Sequence, residues 1–291
     1  MALVWSDDLP RLPGYSGAAA YQALPSYADA LHRAAGLDGP PFDPLRVAAA
    51  LGVRVQPVPT YAGNRGLLLP LPGGGYRIVV RADESPSAQR FTVAHELVEL
   101  GLQVGCPSLV ERSHRDQEAG KAKERYCEVG AAEILLPLDQ VRRAFAARGS
   151  TLEALPALAS LFGASLHATL RRLVDAAPRP CAGLIVYQAR RHAEGVSSPG
   201  GQTGRPASGG PAGGAVLRVA MACGGGGLVA AAPAGAPLPQ TSLLARSYRD
   251  RLPTRGVEAF ALGRLQGRYR VEAICPGYGP SRHVYALLHP V

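Results

Sequence analysis

The chain changes texture at Pro178-Arg-Pro180. Before that point apolar residues recur at helical spacing, broken by one strand-rich stretch between about residues 53 and 81. After it, short apolar runs alternate with breaks rich in glycine and proline. Helices first and strands afterwards predict the α+β class, and Pro178-Arg-Pro180 reads as the linker between them. A length of 291 residues suits two or three domains. With 47% apolar residues these can fold without covalent staples.

Element by element, a helix is predicted over 26–37, then a helix from Pro44 with Asp43 as its cap and Gly52 as its stop. Strands are predicted over 53–58 and 66–71, with Asn64-Arg-Gly66 as a turn between them. Gly73-Gly-Gly75 closes a hairpin into the strand Tyr76-Arg-Ile-Val-Val-Arg81. Ser87-Ala-Gln-Arg90 leads into the next helix, residues 105–119 read as an exposed connector, and 121–136 is helical again. Three short helical patterns follow over 138–147, 151–162 and 165–176, the last two joined by a tight Gly163-Ala-Ser165 turn with helix-turn-helix spacing. Beyond the linker, strands are predicted over 182–188, 215–222, 227–232, 267–275 and 282–289. A mobile loop rich in Gly, Ser and Pro is predicted over 194–214.

Thirty-one basic against 22 acidic residues leave a net charge of +9, and only Lys121 and Lys123 are lysines. Codon bias explains arginine in place of lysine, yet not the positive sign, so a nucleic-acid or acidic partner stays open. The five cysteines, Cys106, Cys127, Cys181, Cys223 and Cys275, are odd in number and contain no C-x-x-C pair. They imply neither a disulfide framework nor a cysteine zinc site, and they suit a reducing compartment. Those on strands read as buried, inert side chains rather than redox sensors. Asp7 and Asp8 stand where an export signal would carry positive charge, so no export is expected. Residues 219–245 lack charge, but Gly224 to Gly227 and Pro233, Pro237 and Pro239 interrupt them, so no membrane span is expected.

The chemistry concentrates in Arg90-Phe-Thr-Val-Ala-His-Glu-Leu-Val-Glu-Leu-Gly101. On a helix, His95 and Glu99 share a face four residues apart, and both can point at one ion. Glu96 lies beside them, placed to take a proton from water. This is the layout of H-E-x-x-H, with Glu in the place of the second His. A hydrolytic divalent site needs roughly three protein ligands. The helix that follows offers Glu124 as the third, with Glu128 one turn on as an alternate. The other reading of the pentapeptide is an ordinary amphipathic helix with a charged face. His114 reads as a solvated loop residue that could also reach the site.

Gln89-Arg-Phe-Thr-Val-Ala-His-Glu-Leu, with the Arg65-Gly66 turn and the Ile78-Val-Val strand before it, resembles the ImmA/IrrE family of metallopeptidases. Glu124-Arg-Tyr-Cys-Glu-Val-Gly-Ala-Ala-Glu-Ile-Leu-Leu-Pro137 resembles that family's third-ligand helix, and Asp43-Pro44 with Ala-Ala-Leu-Gly-Val53 its opening segment. The likeness covers about 42–176. Within the family, the order of textures is similar to that of the IrrE-type radiation and desiccation response regulators.

The resemblance implies a zincin-like peptidase domain over 1–137 with a small antiparallel sheet and active-site helices. It further implies a helix-turn-helix-like segment over 138–177 and a C-terminal α/β GAF-like sensor domain over 178–291. It implies a metal-dependent endopeptidase of the cytoplasm that cleaves a DNA-binding helix-turn-helix repressor and so switches on a DNA-damage response. His95, Glu99 and Glu124 would hold one Zn2+ or Mn2+, with Glu96 as the catalytic base and the strand 76–81 receiving the substrate by β-addition. Family members have His where Glu99 stands. Glu can ligate zinc, but its charge makes the ion a weaker acid and favours manganese or iron. A catalytically degenerate member, acting by binding protein or DNA, is the alternative. DNA is the less favoured partner: Arg171 and Arg172 could meet phosphate, but Leu166, Leu170 and Leu173 on the same helix look like core.

Overall fold

The computed structural model describes residues 9–59, 65–189, 216–277 and 282–291. They divide into two compact units, Met1–Ser150 with Ala154–Ala176, and Thr151–Glu153 with Ala177–Val291. Among the described residues helices and strands are mixed in the manner of an α+β protein.

The first unit opens with α1 (Ala18–Ala34), which starts earlier than its sequence pattern suggests because Pro25 lies inside the helix rather than at its head. Leu24, Tyr27, Ala28 and Leu31 form its buried stripe. Asp43 Oδ1 accepts the Leu45 N–H at 3.2 Å, and Pro44 needs no partner at the first helical position; together they set α2 (Pro44–Ala50). Three strands follow, β1 (Arg54–Val58), β2 (Gly66–Pro70) and β3 (Tyr76–Arg81). The predicted turn at Asn64 falls partly outside the described residues. Gly73, Gly74 and Gly75 all take positive φ, which lets the β2–β3 hairpin close. The sheet order is β1-β3-β2, with β1 parallel and β2 antiparallel to β3. It is therefore mixed, where an antiparallel sheet is predicted.

Helix α3 (Pro86–Gly105) starts at a Ser85 cap with Pro86 in its first turn. The predicted exposed connector is instead α4 (Pro107–Arg115), whose Val110 and Ser113 are buried. It is amphipathic, but its nine residues span too few turns for the period to register in the sequence. Asp116 then accepts the N–H groups of Glu118 and Ala119, at 3.0 and 3.3 Å, and starts α5 (Gln117–Leu135). Helix α5 packs closely on α3, and Gly130 makes that approach feasible: a Cβ there would sit 2.7 Å from Val98 Cγ2.

The unit ends with α6 (Leu138–Ala146), α7 (Leu155–Phe162) and α8 (Leu166–Ala176). Gly163, at φ 61°, closes α7 in the left-handed conformation before α8 begins. Arg172 is not available to phosphate. It is 6% exposed, pairs with buried Glu133 of α5, and donates through Nε to the Leu136 carbonyl at 2.6 Å.

The second unit is built on β4 (Cys181–Gln188), β5 (Leu217–Gly225), β6 (Thr254–Leu262), β7 (Leu265–Ile274) and β8 (His283–Pro290), an antiparallel sheet in the order β5-β4-β8-β7-β6. Leu184, Val186, Val271, Ala286 and Leu288 share one core with Leu244 and Tyr248 of α9 (Leu243–Asp250). Both α9 and β6 go unpredicted. β6 is an edge strand that buries only Thr254 and Phe260, so its alternation is faint. The strand predicted over 227–232 is irregular chain, entered through Gly226 and Gly227 at φ 61° and 85°. The loop predicted over 194–214 lies outside the described residues.

Candidate metal centre

Helix α3 carries His95, Glu96 and Glu99 where it faces β2 on one side and α5 on the other. Glu96 is 6% exposed and lies against β2 at Gly66, where a Cβ would sit 2.9 Å from Glu96 Oε1 and 2.3 Å from Thr92 Cγ2. Glycine at 66 is what allows the strand to run directly over the carboxyl. His95 faces α5, its Nε2 3.4 Å from Glu124 Oε2. Two ligands about 2.1 Å from one tetrahedral ion lie about 3.4 Å apart, so this pair is spaced as co-ligands.

Glu99 has a different partner. Its Oε1 accepts a hydrogen bond from Lys123 Nζ at 2.7 Å, and the same ammonium lies 3.5 Å from Glu124 Oε1. Lys123 is 5% exposed. Cys127, buried one turn beyond Glu124, brings its Sγ near the others: donor atoms of His95, Glu99 and Cys127 all lie within 4.8 Å of one another. The helix pair thus sets His95 beside Glu124 and adds Lys123 and Cys127, but the three groups whose donor atoms meet are His95, Glu99 and Cys127, a set without the predicted ligand Glu124. Cys127 could have been anticipated from its place three residues after Glu124 on the predicted helix over 121–136, and Lys123 from being one of only two lysines. Glu128 and His114 are exposed and line the same groove.

Burial pushes the Glu96 carboxyl up to about 7, and the negative charge of Glu99 adds to the shift. A base poised there is matched to neutral pH. Burial pulls the His95 imidazole down, but its hydrogen bond to Glu124 and the charges of Glu96, Glu124 and Glu99 outweigh that and hold it above its ordinary value. The same hydrogen bond is the main reason Glu124 stays below the ordinary carboxylate range. Burial opposes the charge on Lys123, yet the bond to Glu99 and the charges of Glu99 and Glu124 keep the ammonium more firmly protonated than usual. Burial first, then Glu99, raises the Cys127 thiol well above its normal value, which makes it a reluctant thiolate. The donor set therefore fits a divalent ion through His95 and Glu124, with one oxygen of Glu99 already engaged by an ammonium.

A groove of about 700 Å³ opens over these groups, lined by Gly66, Leu67, Leu68 and Tyr76 on the sheet side. β3 is the central strand, hydrogen-bonded to β1 and β2 on its two edges, so it cannot take an added strand as expected from the sequence. The edge strand β2 faces the groove instead.

Residues 48–174 match the Peptidase_M78 family model, described as the IrrE N-terminal-like domain. Over this stretch, a little under half of the chain, the sequence is similar to the ImmA/IrrE family. The IrrE-like domain takes in the whole helix pair, with His95, Glu96, Glu99, Lys123 and Glu124, and extends into α8. The chain is also similar to the radiation response metalloprotease IrrE of Deinococcus deserti, at 27% identity over 179 residues. That match covers 60% of this chain and 58% of the relative's length. A solved Mycobacterium tuberculosis transcriptional regulator has a similar fold, with a TM-score of 0.53 and 14% identity over 92% of this chain and 76% of the other. Among the described residues no helix is long and apolar enough to cross a membrane.

Proposed function

We propose that this chain is a metal-dependent endopeptidase of the cytoplasm that cleaves a DNA-binding repressor and thereby releases stress-response genes. The observation that carries the peptidase reading is the 3.4 Å spacing of His95 Nε2 and Glu124 Oε2 with buried Glu96 beside them. His95 and Glu124, joined by the second oxygen of Glu99, would hold one Zn2+ or Mn2+. Such an ion supplies Lewis acidity, polarising the scissile carbonyl and making water a better nucleophile near neutral pH.

The chain's own residues do the rest. β2, the edge strand among the described residues, pairs with an extended substrate and lays its backbone across the groove. Glu96 takes the proton of the attacking water on its carboxylate and passes it to the departing amide nitrogen. The stress-response role takes its support from the name of the Deinococcus relative, a radiation response metalloprotease, and the repressor substrate is this proposal's own step. The peptidase domain is proposed over 1–137. The α7–Gly163–α8 unit then serves as a helix-turn-helix-like segment (138–177), and 178–291 as a GAF-like sensor domain.

Purified protein supplied with zinc or manganese should cleave a cognate repressor, and Glu96→Gln should lower the rate about 10²- to 10⁴-fold while leaving the thermal melt unchanged. Undiminished cleavage by that variant would refute the mechanism. The Glu99–Lys123 hydrogen bond at 2.7 Å favours a second reading, a degenerate member that binds protein or DNA without cleaving. Peptidase activity appearing only after Glu99→His would establish that reading, and metal-dependent cleavage by the wild type would remove it.

A further inference from the structure

Of the chain's two lysines, Lys121 is exposed in a surface pair with Glu118, whereas Lys123 is 5% exposed inside the candidate centre. A chain that uses arginine almost everywhere has here a compact ammonium, which fits between two carboxylates where a planar guanidinium would need more room. Its Nζ lies 2.7 Å from Glu99 Oε1 and 3.5 Å from Glu124 Oε1, and Glu99 is 24 residues away in sequence, so packing of α5 on α3 creates the contact.

We propose that Lys123 is a positioning residue acting as a tethered cation, neutralising Glu99 and Glu124 so that an entering divalent ion must displace its ammonium from Glu99. The proposal rests on the ligand assignment made above and adds the regulation of that site. Three carboxylates, Glu96, Glu99 and Glu124, converge on one imidazole here. Unpaired, they would repel one another in a partly buried cleft. With Lys123 in place the cluster is stable without an ion. The consequence is weak metal affinity, because an ammonium fixed beside the ligands repels a second cation at short range. Glu99 and Lys123 together carry no net charge, as a neutral imidazole would in H-E-x-x-H.

The test is titration of the full-length, metal-stripped chain with Zn2+ alone and with Mn2+ alone, read by calorimetry against a competing chelator. Lys123→Gln, which keeps a hydrogen-bond donor but no charge, should bind zinc at least about tenfold more tightly than wild type, or ~1.4 kcal/mol. His95→Ala in the same assay distinguishes the two levels of the reading. Equal affinity of wild type and Lys123→Gln, with His95→Ala silent, would leave the ligands standing and overturn the role of Lys123. No binding by any variant, Lys123→Gln included, would overturn both. Should Lys123→Gln fail to fold without an ion, zinc should restore its cooperative melt, and failure to do so would also overturn the proposal.

Discussion

Gly66→Ala tests how tightly β2 is held against the candidate centre. The added Cβ would lie 2.3 Å from Thr92 Cγ2, 2.9 Å from Glu96 Oε1 and 3.3 Å from the Val79 carbonyl oxygen. Ordinary carbon contacts begin near 3.5 Å, so β2 must retreat from α3 by about 1 Å. Thr92 cannot yield, since it is 5% exposed and sits within the packed helix. Overpacking of this kind costs about 1–3 kcal/mol, against which the stiffer unfolded chain returns about 0.4–1 kcal/mol, leaving a net loss of about 1–2 kcal/mol. A strand displaced by about 1 Å would also misplace a substrate relative to Glu96 and lower cleavage about 100-fold. Urea unfolding and repressor cleavage measure the two effects. Thr92→Ser removes the closest atom, so the double variant should recover most of the lost stability, with a coupling of about 1 kcal/mol or more. A Gly66→Ala protein as stable as wild type, or a double variant no better than the single, would refute the close approach.

Three further outcomes follow from the first unit. Arg172→Met strands buried Glu133 without its partner and should cost about 3–5 kcal/mol in urea unfolding; Glu133→Leu added to it should restore most of that, and additive losses would contradict a buried pair. His32 stacks on Phe42 and donates through Nε2 to the Ile134 carbonyl at 2.8 Å, and burial holds its pKa below 6.5. A lowered histidine pKa means the unfolded state binds the extra proton, so this contribution is complete above pH 6.5 and is lost as the pH falls below it. His32→Phe should therefore flatten the fall in stability as the pH drops below 6.5, and an unchanged slope would exclude His32 as its source. Chelator should leave the wild-type melting temperature nearly unchanged, because Lys123 already neutralises Glu99; a large drop would contradict the tethered cation.

What the sequence determined by itself is mostly local. Asp43-Pro44 specifies the start of α2, Gly73 to Gly75 the β2–β3 hairpin, and the spacing of His95, Glu96 and Glu99 one helical surface. These are readable because caps, turn glycines and a 3.6-residue period act over a few residues of chain. The helices α4 and α9, of nine and eight residues, escape because two turns give too few repeats for a period to register, and the edge strand β6 because it buries only Thr254 and Phe260. Tertiary structure alone decided who meets whom. It gave Arg172 to Glu133, placed β3 between β1 and β2 with β2 at the edge among the described residues, and set Lys123 against Glu99. A sequence period tells which face of a helix is buried; only the packing of α3, α5 and β2 tells which charge that face finds there.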